Sequence, residues 1–522
     1  MINKSGHSKG TLLAIGSVLR AVNLFSTCLV ALVMTPFLIK SLGDRIYGMW
    51  MLVSSLFGFY DLLDLGMGKA VNRFLAREIG LKDERACNQV FNTALFTFAI
   101  IGLVSLLITI VFSFMARSFI SDPAEIVIFR KFIILSGLSI ALFFVMRAFS
   151  GVLESHLRYD VNVSVDFLNL LLRTTLIVVF LKKGYGLVAI GVIMLLVNVL
   201  CHMIMIIRTK RVAGYLKFSL KFLDPKQLKK FFGYSMYSFL SQISHRISHD
   251  IDNFVIAGFL GIGLVTVYSI AARLVKYFSQ LLFATMGLMT PIFSQYEAVG
   301  NYDAIREKFE FISKICWCAS LIIGGNILLL GKVFILRWVG PEYGAAYALL
   351  VILVSSTMLS STNIPGMNLA FGISRHRFPT ILSLCGALTN LILSIIFVKR
   401  GMGLEGVAWG TAIPAVISGL FILPVYICQI IQMDTRKYYL KIALPVLSLT
   451  TIFFGGAWLA ERNILAPGYG CVLICGLLNT LIYGLLAYYL IFNNRERKYL
   501  HALVPSQRMR EFLNNRMERV GY

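Results

Sequence analysis

Charged residues are scarce in this chain. Asp, Glu, Lys and Arg together make up 14% of its 522 residues, whereas hydrophobic residues make up 58%. A soluble globular domain carries about 25% charged residues. The scarcity of charge therefore excludes an ordinary soluble protein and predicts a chain whose helices lie in a lipid bilayer.

Long polar segments are also missing. The longest lie near residues 66–88, near residues 208–230 and in the C-terminal tail. None of them reaches the roughly 50 residues of a small independent domain. The sequence also has no Gly-x-x-x-x-Gly-Lys-Ser/Thr loop for nucleotide phosphates. We therefore expect no nucleotide-binding domain, no cofactor and no ATP-driven transport by this chain alone.

Apolar runs of about 20 residues fill the rest of the sequence. They predict an all-α integral membrane protein with about fourteen transmembrane helices. The first run is too long for a signal peptide and lacks a small-residue cleavage pattern, so we expect it to remain in the membrane. The predicted spans are 14–39, 46–64, 90–115, 128–152, 162–181, 186–207, 232–259, 264–292, 309–331, 345–371, 379–398, 404–431, 439–460 and 468–492.

The formal net charge is strongly positive, at +24. Nucleic-acid binding is one explanation of such a charge. However, Lys and Arg concentrate on alternate loops, with the heaviest clusters at 208–230 and 495–519, as the positive-inside rule expects of a membrane protein. The pattern predicts cytoplasmic termini, contacts with anionic lipid headgroups and no nucleic-acid partner.

The nine cysteines predict no metal site. All except Cys87 fall inside or at the ends of apolar runs, and no cluster of His or acidic residues accompanies Cys316 with Cys318 or Cys471 with Cys475. We interpret all nine as small packing residues.

The chain repeats itself at an offset of about 218 residues. The sequence KKGYG at 182–186 is matched by KRGMG at 399–403, and each copy stands between two apolar runs. Leu42-Gly43 likewise matches Leu260-Gly261, with an aromatic residue seven positions after each glycine. Duplicated halves are typical of transporters, and six helices in each half place the pseudo-two-fold axis along the membrane normal.

The repeat and the loops predict the domain organisation. The two six-helix lobes are followed by two extra C-terminal helices. The segments are a cytoplasmic N-terminal tail (1–13), an N-lobe of helices 1–6 (14–207), a basic cytoplasmic linker (208–231), a C-lobe of helices 7–12 (232–431), helices 13 and 14 (432–492) and a basic cytoplasmic tail (493–522).

One motif resembles a known family. Residues 36–73 read PFLIKSLGDRIYGMWMLVSSLFGFYDLLDLGMGKAVNR, in which Leu-Gly, Tyr-Gly-x-Trp and Asp-Leu-Gly precede a basic loop. This order resembles the N-terminal signature of the bacterial polysaccharide (O-antigen type) flippases of the multidrug/oligosaccharidyl-lipid/polysaccharide (MOP) exporter superfamily. The run DNFVIAGFLG at 252–261 resembles the family again in the second lobe.

The resemblance covers roughly residues 11–430 and implies a function. A protein of this family is expected in the bacterial inner membrane, where it moves an undecaprenyl-diphosphate-linked oligosaccharide to the outer leaflet for surface polysaccharide biosynthesis. Its expected partners are that substrate, membrane lipids, a coupling ion (H⁺ or Na⁺) and polysaccharide polymerase machinery. The resemblance does not name the glycan.

Charged residues at membrane depth give the candidate site, because each costs about 2.5–3.5 kcal/mol to insert and therefore seeks a cavity or a partner. Arg246 on the seventh helix and Arg273 with Lys276 on the eighth would suit a diphosphate, which a guanidinium binds bidentately. Arg20 fits the family's basic residue early in the first helix. Structural ion pairs between helices 7 and 8 are the alternative, and both interpretations stay open.

Further charged residues suggest other roles. His249, Asp250 and Asp252 are candidates for ion coupling, because neighbouring desolvated carboxylates are driven toward protonation. Asp61 and Asp64, with Lys69 and Arg73, would form a gate or loop latch near the inner end of the second helix. We further predict that Asp166 pairs with Arg173, that Arg147 extends toward the cytoplasmic interface, and that Pro365 marks either a hinge or a static kink.

Three other functions are alternatives to a polysaccharide flippase. A multidrug or lipid II exporter of the same superfamily is possible, although the cationic helices argue against a drug exporter. A membrane glycosyltransferase should carry a large loop with acidic residues, and no loop here provides one. A non-transporting component of a polysaccharide assembly complex is left open. We therefore predict a flippase that is not an enzyme and works by alternating access.

Overall fold

The computed structural model describes residues 9–502, except 65–66, 157, 226, 228–242, 244–249, 287–289 and 462–467. Within these ranges every regular element is a helix, as the composition predicts. The chain divides into two compact units, an N-terminal unit Met1–Ser269 and a C-terminal unit Ile270–Tyr522. The predicted lobe boundaries remain a prediction.

The described part of the N-terminal unit contains seven whole helices, the helical residues 250–259 and the beginning of an eighth helix. Short 3₁₀ turns lie at Asp61–Asp64, Met115–Ser118 and Leu220–Phe222. The helices are α1 (Lys9–Leu42), α2 (Asp44–Tyr60), α3 (Met67–Leu81), α4 (Glu84–Phe114), α5 (Pro123–Ser155), α6 (Tyr159–Lys182), α7 (Leu187–Val212) and α8 (Ile262–Met286).

The C-terminal unit continues with helices interrupted by 3₁₀ turns at Pro341–Tyr343 and Ser361–Asn363 and by π-helical turns at Ile417–Ile422 and Tyr439–Ala443. The helices are α9 (Thr290–Ala298), α10 (Tyr302–Trp338), α11 (Ala346–Ser360), α12 (Ile364–Gly372), α13 (Arg377–Lys399), α14 (Gly403–Val416), α15 (Leu423–Ile430), α16 (Thr435–Tyr438), α17 (Leu444–Glu461), α18 (Tyr469–Leu490) and α19 (Asn494–Ala502).

Thirteen helical spans in the described ranges are long and apolar enough to cross a membrane. Each overlaps one predicted span, and the remaining prediction, 232–259, falls largely outside the described residues. Several spans begin earlier than predicted, and the two largest extensions, at residues 84 and 302, follow polar N-caps. Asp83 accepts a bond from the Ala86 amide (2.9 Å), and Asn301 accepts one from the Ala304 amide (3.0 Å), which satisfies the first turn of each helix.

Pro365 follows a change of helix type in the C-terminal unit. α11 ends at Ser360, one 3₁₀ turn covers Ser361–Asn363, and Pro365 then lies at the start of α12. Proline is tolerated at this position because its missing N–H would lack a helical partner anyway. The break therefore precedes the proline, and the hinge or static kink at Pro365 stays a prediction.

The local backbone repeats at the predicted offset. α6 and α13 end in residues of the same conformation, since Lys183 and Arg400 both have φ −82° and ψ 3°. The next residues, Gly184 and Gly401, have φ of +85° and +86°, which is the left-handed region that favours glycine. The matched sequences therefore form the same helix terminus.

A second repeat match is a reciprocal contact between α2 and the beginning of α8. Gly48 of the Tyr-Gly-x-Trp motif lies against the carbonyl oxygen of Ile262, which occupies the place of a Cβ atom. In the second copy, Thr266 is equivalent to Gly48 and Ile262 is equivalent to Asp44. The Thr266 hydroxyl donates to the carbonyl of Asp44 (2.7 Å). The motif glycine is thus explained by close packing of two backbones.

We expect Gly48→Ala to destabilise the protein by about 2 kcal/mol, because the new methyl group can be accommodated only if backbone moves. The measurement is the unfolding transition of the purified protein in detergent. Gly80→Ala in α3 is the matched control, because a Cβ there meets no atom within 4 Å and alanine favours a helix. Equal stability of the two variants would contradict the close packing.

Candidate functional site

The predicted cavity cations fall in different parts of the chain. Arg246 lies outside the described residues. Arg20 lies in α1, but its side chain is outside the description. On α8, Arg273 is half-buried and Lys276 is exposed. Their role in substrate binding stays a prediction.

The ion-coupling candidates are partly described. His249 lies outside the described residues, and Asp250 is half-buried. Asp252 is buried and accepts a 2.6 Å hydrogen bond from the Tyr268 hydroxyl. Its neighbour Asn253 donates to the Ser55 hydroxyl of α2 (2.8 Å). The helical residues 250–259 are therefore fixed by polar contacts within the N-terminal unit.

In the predicted latch, Asp64 is paired with a residue outside the predicted set. Asp64 forms an ion pair with Arg147 of α5, with 2.8 Å between Oδ2 and Nη1. Arg73 is exposed, and the side chains of Asp61 and Lys69 are outside the description. Arg147 therefore does more than extend toward the interface, because it connects the 3₁₀ turn after α2 to α5.

Four polar residues form a continuous stripe along α6: Asn162, Asp166, Asn169 and Arg173. Successive spacings of four, three and four place them on one face of the helix. Asp166 is exposed although its helix is apolar enough to span a membrane. A carboxylate at this depth must meet water or a partner. We therefore expect the stripe to face a water-filled cavity.

Neighbouring helices hold two members of the stripe in place. The Asn162 amide donates to the Ser150 hydroxyl of α5 (2.8 Å). The Asn169 amide donates to Oδ1 of Asn198 on α7 (2.7 Å), and Asn198 in turn donates to the Ser139 hydroxyl of α5 (2.5 Å). Hydrogen bonds of this kind connect helices inside membranes. They fix the rotation of α6 and with it the direction of its polar face.

Arg173 lies deep within α6. At 1.5 Å per residue it is about 21 Å along the helix from Tyr159 and about 14 Å from Lys182. Its side chain is half-buried, and within the described ranges it forms no ion pair. The predicted pair with Asp166 is therefore not formed. Ion pairs on a helix join residues three or four apart, whereas these lie two turns apart.

The stripe combines groups of the kind that suit an anion and hydroxyl groups. A guanidinium without a carboxylate partner offers parallel N–H donors to phosphate oxygens. The carboxylate and amide oxygens one and two turns away can accept bonds from hydroxyl groups. No group of three or more His, Cys, Asp and Glu side chains in the described part of the chain could hold a metal ion.

Sequence reasoning identified Asp166 and Arg173 but missed the stripe. The signal was present, because Asn162 and Asn169 complete a helical period of polar residues in an otherwise apolar run. The stripe is not visible when only the charged residues of the run are compared. The partners Ser139 and Asn198 have no sequence signal of their own.

The sequence matches a family of known proteins. A family model for "Polysaccharide biosynthesis protein" matches residues 16–297, which is more than half of the chain. The chain is also similar to the "Uncharacterized membrane protein EpsK" of Bacillus subtilis (strain 168). The two are 19% identical over 471 residues, which cover 89% of this chain and 92% of that protein.

Solved structures share the fold. An inward-facing multidrug resistance MATE family transporter of the MOP superfamily matches with a TM-score of 0.68 at 18% identity, covering 77% of this chain and 95% of its own. The lipid II flippase MurJ in its inward closed conformation matches with a TM-score of 0.67 at 16% identity, covering 90% of this chain and 99% of its own.

Proposed function

The chain belongs to the polysaccharide biosynthesis protein family, and from this premise we propose that it translocates an undecaprenyl-diphosphate-linked oligosaccharide across the membrane by alternating access. It is a multi-pass membrane protein with the fold of MOP superfamily transporters. The proposed location is the bacterial inner membrane, with both termini in the cytoplasm. The proposed activity is transport for surface polysaccharide biosynthesis and not catalysis.

The half-buried Arg173, without an ion-pair partner in the described ranges, is the observation that carries this proposal. An unpaired guanidinium at mid-membrane is costly, so its presence needs a compensating ligand. A diphosphate compensates it, because two phosphoryl groups offer several acceptor oxygens. The polar residues nearer the cytoplasmic end of α6 would then accept the sugars that the diphosphate carries.

The same proposal includes the other candidate residues. Arg20, Arg246, Arg273 and Lys276 would provide further positive charge for the diphosphate. His249, Asp250 and Asp252 would couple transport to H⁺ or Na⁺, and Asp61, Asp64, Lys69 and Arg73 would act at a cytoplasmic gate. Polysaccharide polymerase machinery would receive the exported lipid-linked glycan.

The test of function is the leaflet in which lipid-linked glycan accumulates. Spheroplasts of a strain without this gene and without a redundant exporter are treated with a glycosidase or oxidant that cannot cross the membrane. We expect undecaprenyl-diphosphate-linked glycan to be protected in this strain and accessible once the gene is restored. Equal accessibility in both strains would overturn the proposal. Trapped lipid II in place of the glycan would assign the chain to the lipid II exporters.

A further inference from the structure

The linker after α7 is attached to α4 by a ladder of hydrogen bonds. Asn88 of α4 donates to the carbonyl of Tyr215 (3.2 Å) and accepts from the amide of Lys217 (2.7 Å). One helical turn later, Asn92 donates to the carbonyl of Lys217 (2.8 Å) and accepts from the amide of Ser219 (3.0 Å). The two asparagine side chains thus bind alternate residues of the linker, as a neighbouring strand in a sheet would.

The ladder uses the full hydrogen-bonding capacity of both asparagine amino groups. The second N–H of Asn88 donates to the Glu84 carbonyl (2.8 Å), and that of Asn92 donates to the Asn88 carbonyl (2.8 Å), each within α4. The Asp224 amide adds a final bond to the Thr93 hydroxyl (3.1 Å). Residues 215–224 are therefore held along one turn and a half of α4, and we refer to them as the strap.

The strap is held by polar bonds more than by apolar burial. None of residues 214–224 is buried. Phe218 lies near Phe91 and Phe149 (5.7 and 5.9 Å between ring centroids), yet it remains 51% exposed. Segments with few buried apolar contacts open at low free energy. Opening also leaves no polar group unsatisfied, because water replaces the strap as partner of the asparagines.

A native cysteine lies beneath the strap. Cys87 is only 2% exposed, and its thiol lies near enough to the Tyr215 side chain to interact with it. The Tyr215 hydroxyl lies 3.4 Å from Nε2 of His156 at the end of α5, which holds the Tyr215 ring in this place. When the strap leaves α4, Tyr215 leaves with it and uncovers the thiol.

We infer that Asn88 and Asn92 form a docking site for an extended peptide segment, and that the strap binds and leaves this site while the helices remain folded. The site controls the length of free chain between α7 and the next predicted transmembrane helix at residue 232. With the strap bound, residues 215–224 are held on α4. With the strap released, some ten more residues become available to accommodate movement.

Labelling of Cys87 tests this inference on the purified protein, without any substrate. The parent variant keeps Cys87 and has its other eight cysteines replaced by alanine. N-ethylmaleimide then reports opening, because the buried thiol reacts only in the open state. We expect Asn88→Ala and Asn92→Ala each to raise the labelling rate about 10-fold, and the double variant about 100-fold. Ser105→Ala, which removes a hydroxyl bonded within α4 to the Gly102 carbonyl, is expected to leave the rate unchanged.

Hydrogen–deuterium exchange of the natural chain provides a second measurement that needs no substitution. Peptides covering the strap should exchange more slowly than an unfolded chain but faster than the buried part of α5. The inference would be overturned if the labelling rate of the double variant were within twofold of the parent's. It would also be overturned if the strap amides exchanged as slowly as those of α5. Neither result depends on the transported substrate, so they bear on the strap and not on the proposed function.

Discussion

Replacing Arg173 by alanine is expected to lower the rate of glycan export about 100-fold while the protein stays in the membrane at normal abundance. A bidentate bond to phosphate consists of two charge-assisted hydrogen bonds, each contributing about 1.5–3 kcal/mol, and no neighbouring group on α6 can replace it. Arg173→Lys keeps the charge but loses the parallel N–H donors of the guanidinium, so we expect the export rate to fall about 10-fold. The measurement is the appearance of lipid-linked glycan on the outer face.

Stability separates this role from a structural one. Because Arg173 forms no ion pair within the described ranges, Arg173→Ala should unfold at the same temperature as the parent or higher, since it removes a charge whose burial is costly. Arg130→Ala is the matched control. The Arg130 guanidinium donates to the Ser113 carbonyl near the C-terminal end of α4 (3.1 Å). Export by Arg130→Ala should remain within twofold of the parent. Normal export by Arg173→Ala would exclude it from the binding site.

Replacing Glu496 by alanine is expected to destabilise the C-terminal unit by about 3 kcal/mol, because it leaves a buried ammonium group without its main partner. Lys314 of α10 is 6% exposed and contacts Glu496 of α19 at 2.8 Å and Glu310 at 3.1 Å. Glu496 also accepts from the Asn493 amide (2.9 Å) and so caps its own helix. The measurement is the unfolding transition in detergent.

The same short helix contains the matched control. Arg495 contacts Glu307 at 3.3 Å but is 72% exposed, so Arg495→Ala should change the free energy of unfolding by less than about 0.5 kcal/mol. The double change Lys314→Met and Glu496→Leu should restore most of the stability, since neither charge is then buried alone. Equal effects of the two single changes would show that burial does not govern these pairs.

Sequence predicted the membrane helices well because long apolar runs are a strong local signal. All thirteen spans in the described ranges were expected. Polar helices gave no such signal. The segment after residue 493 was predicted only as a basic tail, whereas residues up to Ala502 form α19 and pack on α10. Its buried partner Lys314 lies 182 positions earlier in the chain, a pairing that only the tertiary fold brings about.

The polar stripe on α6 was predicted only in part, again because tertiary contacts are not visible in the sequence. Charge at membrane depth drew attention to Arg173, but its spacing from Asp166 suggested a pair. Whether a charged residue in a helix is paired depends on what neighbouring helices present to it. The linker was likewise interpreted from its basic composition. Its attachment depends on Asn88 and Asn92, more than 120 residues away.

The reciprocal contact of α2 with α8 has the form of an isologous dimer interface. In such an interface residue i of one subunit meets residue j of the other, and j meets i. Gly48 meets Ile262, and Thr266 meets Asp44, which are the same two positions used twice. In a dimer of identical half-length chains one residue type would have to fill both roles. In this single chain the two equivalent positions carry different residues, so Gly48 gives close backbone approach while Thr266 gives a hydroxyl bond.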